Sequence, residues 1–286
     1  MRVRDFPDQN YKAVFNQANM TTIRTLYDNT KPIRRLQFPE ILDISMGTKC
    51  LGDCPYCYAA SSTNGVLYSD CTNKVMDWFG SLSINERPFQ VAIGGGGEPT
   101  LHPEFISVIR AFRGLDIIPN YTTNGMHMTK ALAHATKIYC GGVAVSCHEH
   151  LMPHWVRAVE LLYDYGIKPS IHIIIGDRRG SVGRFWGIYN RFKELVSTFV
   201  LLPYQSLGRA PAQDFTEAEF DHLFETLTDL VPSNVAFGAG FYTHLLTRPE
   251  LCKALDVSLY EPEIVSGYVK LEGAGIKILK SSYEPW

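Results

Sequence analysis

The chain has 286 residues, of which 45% are hydrophobic and 20% are charged, so its composition is that of an ordinary globular protein. Its length allows one large α/β domain or two modest ones, and a formal net charge of −2 argues against broad electrostatic binding of nucleic acid. The chain lacks an apolar run of the roughly 20 residues that a membrane helix needs, and the segment Met1–Phe6 lacks the apolar core of a signal peptide. We therefore expect a cytoplasmic protein with no membrane attachment.

The first 40 residues show no clear hydrophobic period, and we expect a leader that packs outside the main sheet. From Ile41 onward, short apolar runs alternate with segments of helical spacing, which is typical of repeated βα units and a parallel sheet. The predicted strands are Ile41–Ser45, Phe89–Ile93, Ile117–Thr122, Gly142–Ser146, Ser170–Ile175 and Thr198–Leu202. The predicted helices between them are Asn73–Ser83, Pro103–Phe112, Thr129–Ala135, Pro153–Tyr165 and Val182–Leu195. Six repeats are too few for a closed eight-stranded barrel, so we predict an α/β fold with a partial (β/α)6 TIM-like barrel over residues 41–209.

The pattern changes after the last of these strands. The segment Thr216–Leu230 has helical spacing, and the segments Gly267–Leu271 and Gly275–Leu279 predict a hairpin. Residues 210–286 are therefore predicted to form a small C-terminal α+β extension, which we expect to cover the substrate site.

Three of the seven cysteines, Cys50, Cys54 and Cys57, fall within eight positions directly after the first predicted strand. An odd number with this clustering suits metal ligation in a reducing compartment better than a disulfide framework. Three thiolates on one loop can hold three corners of a cubane iron–sulfur cluster and leave the fourth iron open for chemistry. The loop also follows the C-terminal end of a strand, where the active sites of parallel barrels lie. The alternative is a structural zinc site in which Cys71 is the fourth ligand.

The spacing Cys50-x3-Cys54-x2-Cys57, with the aromatic Tyr56 before the last cysteine, resembles the signature of the radical S-adenosylmethionine (SAM) superfamily. The segment Gly94–Pro99 follows the second predicted strand and resembles the GGEP segment of that family. A glycine run alone usually indicates a turn. Here it follows the second predicted strand, just as the cysteines follow the first. The resemblance covers about residues 41–209 and implies the partial barrel of that family.

The resemblance also implies which residues bind cofactors. The three clustered cysteines would bind a [4Fe–4S] cluster, and the GGEP backbone and acidic group would receive the methionine amino group of SAM. Glycines permit close approach to a backbone, and a carboxylate suits an ammonium partner. The implied SAM-binding residues are Tyr56, Gly96, Gly97, Glu98, Thr123, Asn124, Ser146 and Ile175. For the last four, which follow or end later strands, an ordinary strand end is an equally good interpretation.

The chemistry implied by the resemblance is reductive cleavage of SAM. One electron from the cluster would yield methionine and a 5′-deoxyadenosyl radical that abstracts hydrogen from a substrate. An electron donor such as flavodoxin or ferredoxin is expected. Two residues after the fourth predicted strand, Cys147 and His148, are candidate catalytic residues near the expected mouth of the site. A buried, inert thiol is the better interpretation of Cys147, and a second metal site at His148 and His150 is an alternative.

The substrate class stays open at this level. Peptide or protein modification ranks slightly first, because the C-terminal region faintly resembles the cluster-binding extension of peptide-modifying relatives, with only Cys252 left in it. A nucleotide or nucleobase would suit the arginines after the fifth strand, unless these form a solvated loop, and a small metabolite is compatible with everything. A non-enzymatic zinc- or cluster-stabilised binding module is the remaining alternative, and it leaves Gly94–Pro99 unexplained. The arginines in question are Arg178, Arg179 and Arg184.

Overall fold

The computed structural model describes residues 1–31, 36, 38–230, 232, 234–254, 266–272 and 277–279. Its strands are β1 (Arg2–Phe6), β2 (Tyr11–Asn16), β3 (Thr21–Thr25), β4 (Ile41–Ser45), β5 (Gln90–Ile93), β6 (Ile118–Thr123), β7 (Gly142–Ser146), β8 (Ser170–Ile175), β9 (Thr198–Pro203), β10 (Val235–Phe237), β11 (Ser266–Lys270) and β12 (Lys277–Leu279). Its helices are α1 (Cys71–Ser81), α2 (Phe105–Gly114), α3 (Lys130–Tyr139), α4 (Met152–Asp164), α5 (Ser181–Phe192), α6 (Thr216–Asp229), α7 (Tyr242–Leu246) and α8 (Pro249–Ala254). None of the helices in these ranges is long and apolar enough to span a bilayer.

The main sheet has nine strands in the order β10-β9-β8-β7-β6-β5-β4-β11-β12, and every neighbouring pair except β11 and β12 is parallel. The six predicted strands are β4 to β9, with bounds confirmed to within one residue, and a helix follows each of the first five. The two edge strands do not pair in the described ranges, so the sheet forms an open, partial barrel. The predicted fold class is confirmed.

The two faces of this sheet have different surroundings. Along β8, the side chains of Ile171, Ile173 and Ile175 are fully buried in the core beneath the helices. The alternate residues of the same strand, among them His172 and Ile174, are only half-buried. Because side chains alternate between faces along a strand, the second set lines a lumen that solvent reaches.

The first 25 residues form a three-stranded antiparallel sheet, β1-β2-β3, which the hydrophobic pattern did not predict. Its apolar side chains, among them Tyr11 and Phe15, pack against Phe89 and Ile118 at the N-terminal ends of β5 and β6. This small sheet therefore covers the end of the barrel opposite the C-terminal ends of the strands.

The C-terminal region contains α6, within one residue of its predicted bounds, and the predicted antiparallel pairing of β11 with β12. The turn expected between these strands lies outside the described residues. An unexpected feature is that β11 pairs in parallel with β4, so the hairpin extends the main sheet. Together with β10, which pairs in parallel with β9, this strand brings the described sheet to eight parallel strands. The sequence predicted six of them.

Candidate active site

The three clustered cysteines lie on the loop that follows β4, which we call the cysteine loop (residues 46–70). All three are free thiols; Cys54 is buried, and Cys50 and Cys57 are half-buried. Backbone hydrogen bonds fold the loop on itself, with the Cys50 N–H donating to the Ser62 carbonyl at 2.9 Å and the Cys57 N–H donating to the Cys54 carbonyl at 3.2 Å. The loop thus presents its thiols at the C-terminal edge of the sheet.

The sulfur atoms have few compensating contacts. The Cys50 Sγ receives the Gly52 N–H at 3.4 Å and the Asn124 side-chain amide at 3.6 Å. Burial raises the pKa of Cys50 above its ordinary value and that of Cys54 to about 12. Nearby thiols add to the effect at Cys54, and the Arg209 guanidinium opposes it. These thiols would therefore ionise on binding a cationic metal group that offsets the cost of burying a thiolate.

The thiols of the cysteine loop do not form a compact group of metal ligands. In a tetrahedral zinc site, sulfur atoms 2.3 Å from the ion lie about 3.8 Å from one another. Within the described ranges, the only three potential ligands whose atoms all lie within 4.8 Å of one another are those of Cys71, His102 and Glu104. The sulfur atoms of Cys50, Cys54 and Cys57 therefore do not all lie within 4.8 Å of one another.

The fourth ligand of the zinc alternative, Cys71, has other contacts. Cys71 begins α1 and contacts His102, with 3.7 Å between Sγ and Nε2, and no such contact joins it to the clustered cysteines. The group of Cys71, His102 and Glu104 already has hydrogen-bond partners within the protein. The His102 Nε2 lies 2.6 Å from the Tyr68 carbonyl oxygen, and the Glu104 carboxylate accepts the N–H groups of Cys71 and Thr72. We interpret it as the structural N-terminal cap of α1.

The glycine segment after β5 packs directly on the cysteine loop. The Gly97 N–H donates to the Gly47 carbonyl at 2.7 Å, and the Glu98 N–H donates to the Lys49 carbonyl at 2.8 Å. A Cβ atom on Gly97 would lie 2.2 Å from the Lys49 carbonyl oxygen, and one on Gly96 would be as close to the backbone of the same loop. Only glycine permits this approach, which explains the residue type at both positions.

Glu98 links the ends of β5 and β6. Its carboxylate is 5% exposed and accepts hydrogen bonds from Thr100, from the Thr123 hydroxyl at 2.8 Å and from the Asn124 N–H at 2.8 Å. The Asn124 side chain continues the network to the Cys50 sulfur. One carboxylate oxygen, Oε2, accepts only the Asn124 N–H among these bonds and keeps a position for a further donor.

Aromatic side chains connect the segment after β7 to the cysteine loop. The Tyr56 hydroxyl lies 3.2 Å from the His148 Nδ1, and the His148 and His150 rings stack at 6.0 Å. The His150 Nε2 lies 2.8 Å from the Gly52 carbonyl oxygen. Burial, helped by the charges of His150 and Arg184, lowers the pKa of His148 to about 4 and keeps its ring neutral. These contacts engage both histidines, which does not favour the second metal site.

The remaining candidates lie on different faces of the sheet. Ser146 is half-buried on the lumen face of β7. Cys147 and Ile175 are 5% and 0% exposed and belong to the core between sheet and helices. Burial raises the pKa of Cys147 well above its ordinary value. This placement favours the inert thiol over a hydrogen donor, and it leaves Ile174 as the isoleucine at the end of β8 that faces the lumen.

Arg209 is a site residue that the sequence patterns did not predict. Its guanidinium donates to the carbonyl groups of Cys54 at 3.0 Å and Ser61 at 2.6 Å, and its backbone N–H donates to the Cys57 carbonyl at 3.0 Å. The preceding Gly208 has a φ of 62°, and a Cβ there would lie 2.3 Å from the Tyr58 carbonyl oxygen. The segment after β9 therefore clamps the cysteine loop. The local signal was only a Gly-Arg pair at the predicted end of the barrel.

The three arginines after β8 are each paired with a carboxylate of the chain. Arg184 forms a bidentate pair with Asp177, with distances of 2.6 and 2.9 Å. Arg178 pairs with Glu149, and Arg179 lies 3.4 Å from Asp214. These contacts lower the capacity of the segment to receive a phosphate.

A family model described as the radical SAM superfamily matches residues 44–191, which is more than half of the chain. The chain belongs to the radical SAM superfamily. No curated protein sequence matches it significantly. The matched segment runs from β4 to the end of α5 and includes the cysteine loop and the glycine segment, so the chain carries its family match on the elements described above.

Solved structures show the same fold. Streptococcus suis SuiB bound to S-adenosylmethionine has 17% identity and a TM-score of 0.65, with 86% of this chain and 61% of that chain covered. SuiB bound to the precursor peptide SuiA has 18% identity, a TM-score of 0.66, and coverage of 86% and 60%. The structure of anSMEcpe with bound AdoMet and Cp18Cys peptide has 17% identity, a TM-score of 0.59, and coverage of 86% and 75%. The radical SAM chain thus spans about 60% of the length of SuiB.

Proposed function

We propose that this radical SAM enzyme binds a [4Fe–4S] cluster through Cys50, Cys54 and Cys57, binds SAM beside it, and modifies a side chain of a peptide or protein. The observation that carries the proposal is the set of three free thiols on one loop, packed against the glycine segment and Glu98. No fourth ligand joins them within the residues that the structure describes. When bound, these groups supply reductive cleavage of SAM to a 5′-deoxyadenosyl radical that abstracts hydrogen from the substrate.

The chain itself supplies a fixed frame for that chemistry. Glu98 would offer its Oε2 to the amino group of SAM, since Thr123 and Asn124 already hold the carboxylate in place. The close packing of Gly96 and Gly97 on the cysteine loop brings backbone groups to the same edge. Hydrogen bonds between a carboxylate and an ammonium group are charge-assisted and therefore strong.

The side chains on the rim of the lumen would contact the rest of SAM and the substrate. Ser146 faces the lumen, and Tyr56 with the neutral His148 forms an adjoining wall. A neutral imidazole can accept or donate one hydrogen bond without repelling a cationic sulfonium. Ile175 would support the adenine only from the core side, and Cys147 would stay structural.

A peptide is the substrate class that the available observations support. SuiB binds the precursor peptide SuiA and anSMEcpe binds the Cp18Cys peptide in the structures that share this fold. The nucleotide alternative was compatible with the compact size of the chain and with the arginines after β8, and those arginines are paired with carboxylates. In this proposal residues 1–40 close the base of the barrel, residues 41–209 hold the cofactors, and residues 210–286 contribute to the substrate side.

The test is anaerobic production of 5′-deoxyadenosine. The protein is reconstituted with iron and sulfide, reduced with dithionite in place of a flavodoxin or ferredoxin, and mixed with SAM. We expect 5′-deoxyadenosine from the wild type, none from Cys54→Ala, and wild-type amounts from Cys140→Ala, a cysteine outside the loop. A colourless protein that retains zinc, or a cluster whose EPR spectrum ignores SAM, would support the binding-module alternative instead.

A further inference from the structure

Asn124 directly follows β6 and is only 6% exposed, although its side chain is polar. Its backbone N–H donates to the Glu98 carboxylate at 2.8 Å, and its side-chain Oδ1 accepts the Met126 N–H at 3.0 Å. Because Oδ1 is bonded to Met126, the amide nitrogen Nδ2 points the other way, where it donates to the Cys50 sulfur at 3.6 Å. Both ends of this side chain therefore have a partner, and the donor end contacts a proposed cluster ligand.

The Cys50 sulfur differs from the other two sulfur atoms of the proposed cluster site. It receives the Gly52 N–H at 3.4 Å in addition to the Asn124 amide. The Cys54 thiol instead donates to the Gly52 carbonyl at 3.9 Å, and no N–H group of the described residues donates to the sulfur of Cys54 or Cys57. Hydrogen-bond donors that would stabilise a thiolate are therefore concentrated on one of the three cysteines.

The structure on both sides of this contact preserves it. A Cβ atom on Gly52 would lie 3.2 Å from the Asn124 amide nitrogen and 3.5 Å from the Cys50 sulfur, so a larger residue at this position would crowd donor and acceptor. On the other side, the Thr123 hydroxyl accepts the Gly125 N–H at 3.1 Å and thereby supports the turn that carries Asn124. The amide therefore approaches the sulfur from a turn that is itself held by hydrogen bonds.

We propose that Asn124 is a positioning residue that raises the reduction potential of the cluster through its hydrogen bond to Cys50. This inference rests on the proposed function, in which Cys50 is a cluster ligand. Reduction transfers one electron from the electron donor to the cluster, so the donor is oxidised, no covalent bond breaks and no proton moves. The added negative charge extends onto the sulfur ligands, and an N–H donor stabilises the reduced state more than the oxidised state. Asn124 would therefore favour the electron transfer that precedes SAM cleavage.

The test is a redox titration of the reconstituted protein without SAM, in which dithionite supplies the electron and EPR measures the reduced cluster. Asn124→Ala removes the donor to the sulfur. Asn124→Asp keeps the shape of the side chain and an oxygen for the Met126 N–H, but it directs a second oxygen at the sulfur. Asn120→Ala is the matched control, because Asn120 lies on the same strand and its amide donates to the Gln90 side chain at 3.0 Å.

We expect Asn124→Ala to lower the equilibrium constant for one-electron reduction about tenfold, which lowers the midpoint potential by about 59 mV. Asn124→Asp should lower the potential further, because an electron-rich oxygen then faces the sulfur. The control variant Asn120→Ala should have the potential of the wild type. If Asn124 acted only through its shape, Asn124→Asp would instead stay close to the wild type, and that result would overturn the inference.

Iron and sulfide content show whether the compared clusters are intact. An intact cluster with the same potential in the wild type and both Asn124 variants would refute this inference alone. A wild type that binds no cluster would refute the proposed function and this inference with it. Because SAM is absent from the titration, an Asn124 side chain that served only to contact SAM would leave the potential unchanged.

Discussion

An Arg209→Ala substitution would remove the guanidinium that holds two carbonyl groups of the cysteine loop, those of Cys54 and Ser61. A hydrogen bond from a charged donor contributes about 1.5–3 kcal/mol net. Because the Arg209 side chain is 30% exposed, the lower end of that range applies, and the two carbonyls together lose about 3 kcal/mol of support. The backbone bond to Cys57 remains, so we expect the loss to loosen the loop and leave the fold intact.

Loosening the loop would weaken its hold on the proposed cluster. A change of about 3 kcal/mol corresponds to roughly a hundredfold in an equilibrium constant. We therefore expect Arg209→Ala, reconstituted under anaerobic conditions, to release iron to an excess of chelator about 10- to 100-fold faster than the wild type. Arg209→Lys should fall between them, because an ammonium keeps the charge and loses the fork of donors that reaches both carbonyls.

The release is followed by the absorbance of the iron–chelator complex. Arg110→Ala is the matched control, since Arg110 is exposed on α2. Thermal unfolding of the iron-free proteins checks that all variants keep the fold. Equal rates of iron release from Arg209→Ala and the wild type would refute the view that this residue positions the loop. A shifted EPR signal with unchanged release would indicate that Arg209 acts on the cluster electrostatically.

Two further changes test the polar groups of the site in the protein without iron or SAM. Glu98→Gln weakens the bonds from Thr123 and Asn124 to a buried carboxylate, so we expect a loss of about 2 kcal/mol and a melting temperature about 4–8 °C lower. The exposed Glu160→Gln should cause no change, and an unchanged Glu98→Gln protein would contradict the network. Asp43→Asn should raise the melting temperature at pH 7.5 by a similar amount, because burial raises the pKa of Asp43 to about 6 and its ionised form destabilises the fold. This gain is complete above pH 6 and disappears as pH falls towards 4; a lower melting temperature at pH 7.5 would show that Asp43 has a partner.

The sequence predicted the central strands well because local pattern and tertiary environment agree there. In β8, apolar β-branched residues follow one another and turn residues bound the run, as in a strand covered by helices. The N-terminal sheet was missed because β1 reverses the usual pattern. The side chains of Arg2 and Arg4 point inward and are only 5% and 0% exposed, while Val3 is 46% exposed. These guanidinium groups donate hydrogen bonds to backbone carbonyls such as those of Pro88 and Asn85. Because these partners are far away in the sequence, they leave no periodic pattern around β1.

The site divides in the same way between local and distant information. The cysteine spacing is local, and the matched family segment contains it. The clamp by Arg209 joins residues 155 positions apart, and the pairing of β11 with β4 joins segments more distant still. Asp43 stands within a predicted strand, where alternation allows a polar residue on the face away from the core. What the sequence alone could not provide was which distant residues contact the cysteine loop.

Satisfaction of polar groups separates the structural from the functional charges in this barrel. Arg184 is paired with Asp177, and the carboxylate of Glu98 is held by three residues, so either one could be explained by the fold alone. Asp43 differs, because burial raises its pKa to about 6 and the folded state is less stable for its ionisation. A sequence selected for stability alone would replace it with a neutral residue, as the expected behaviour of Asp43→Asn indicates.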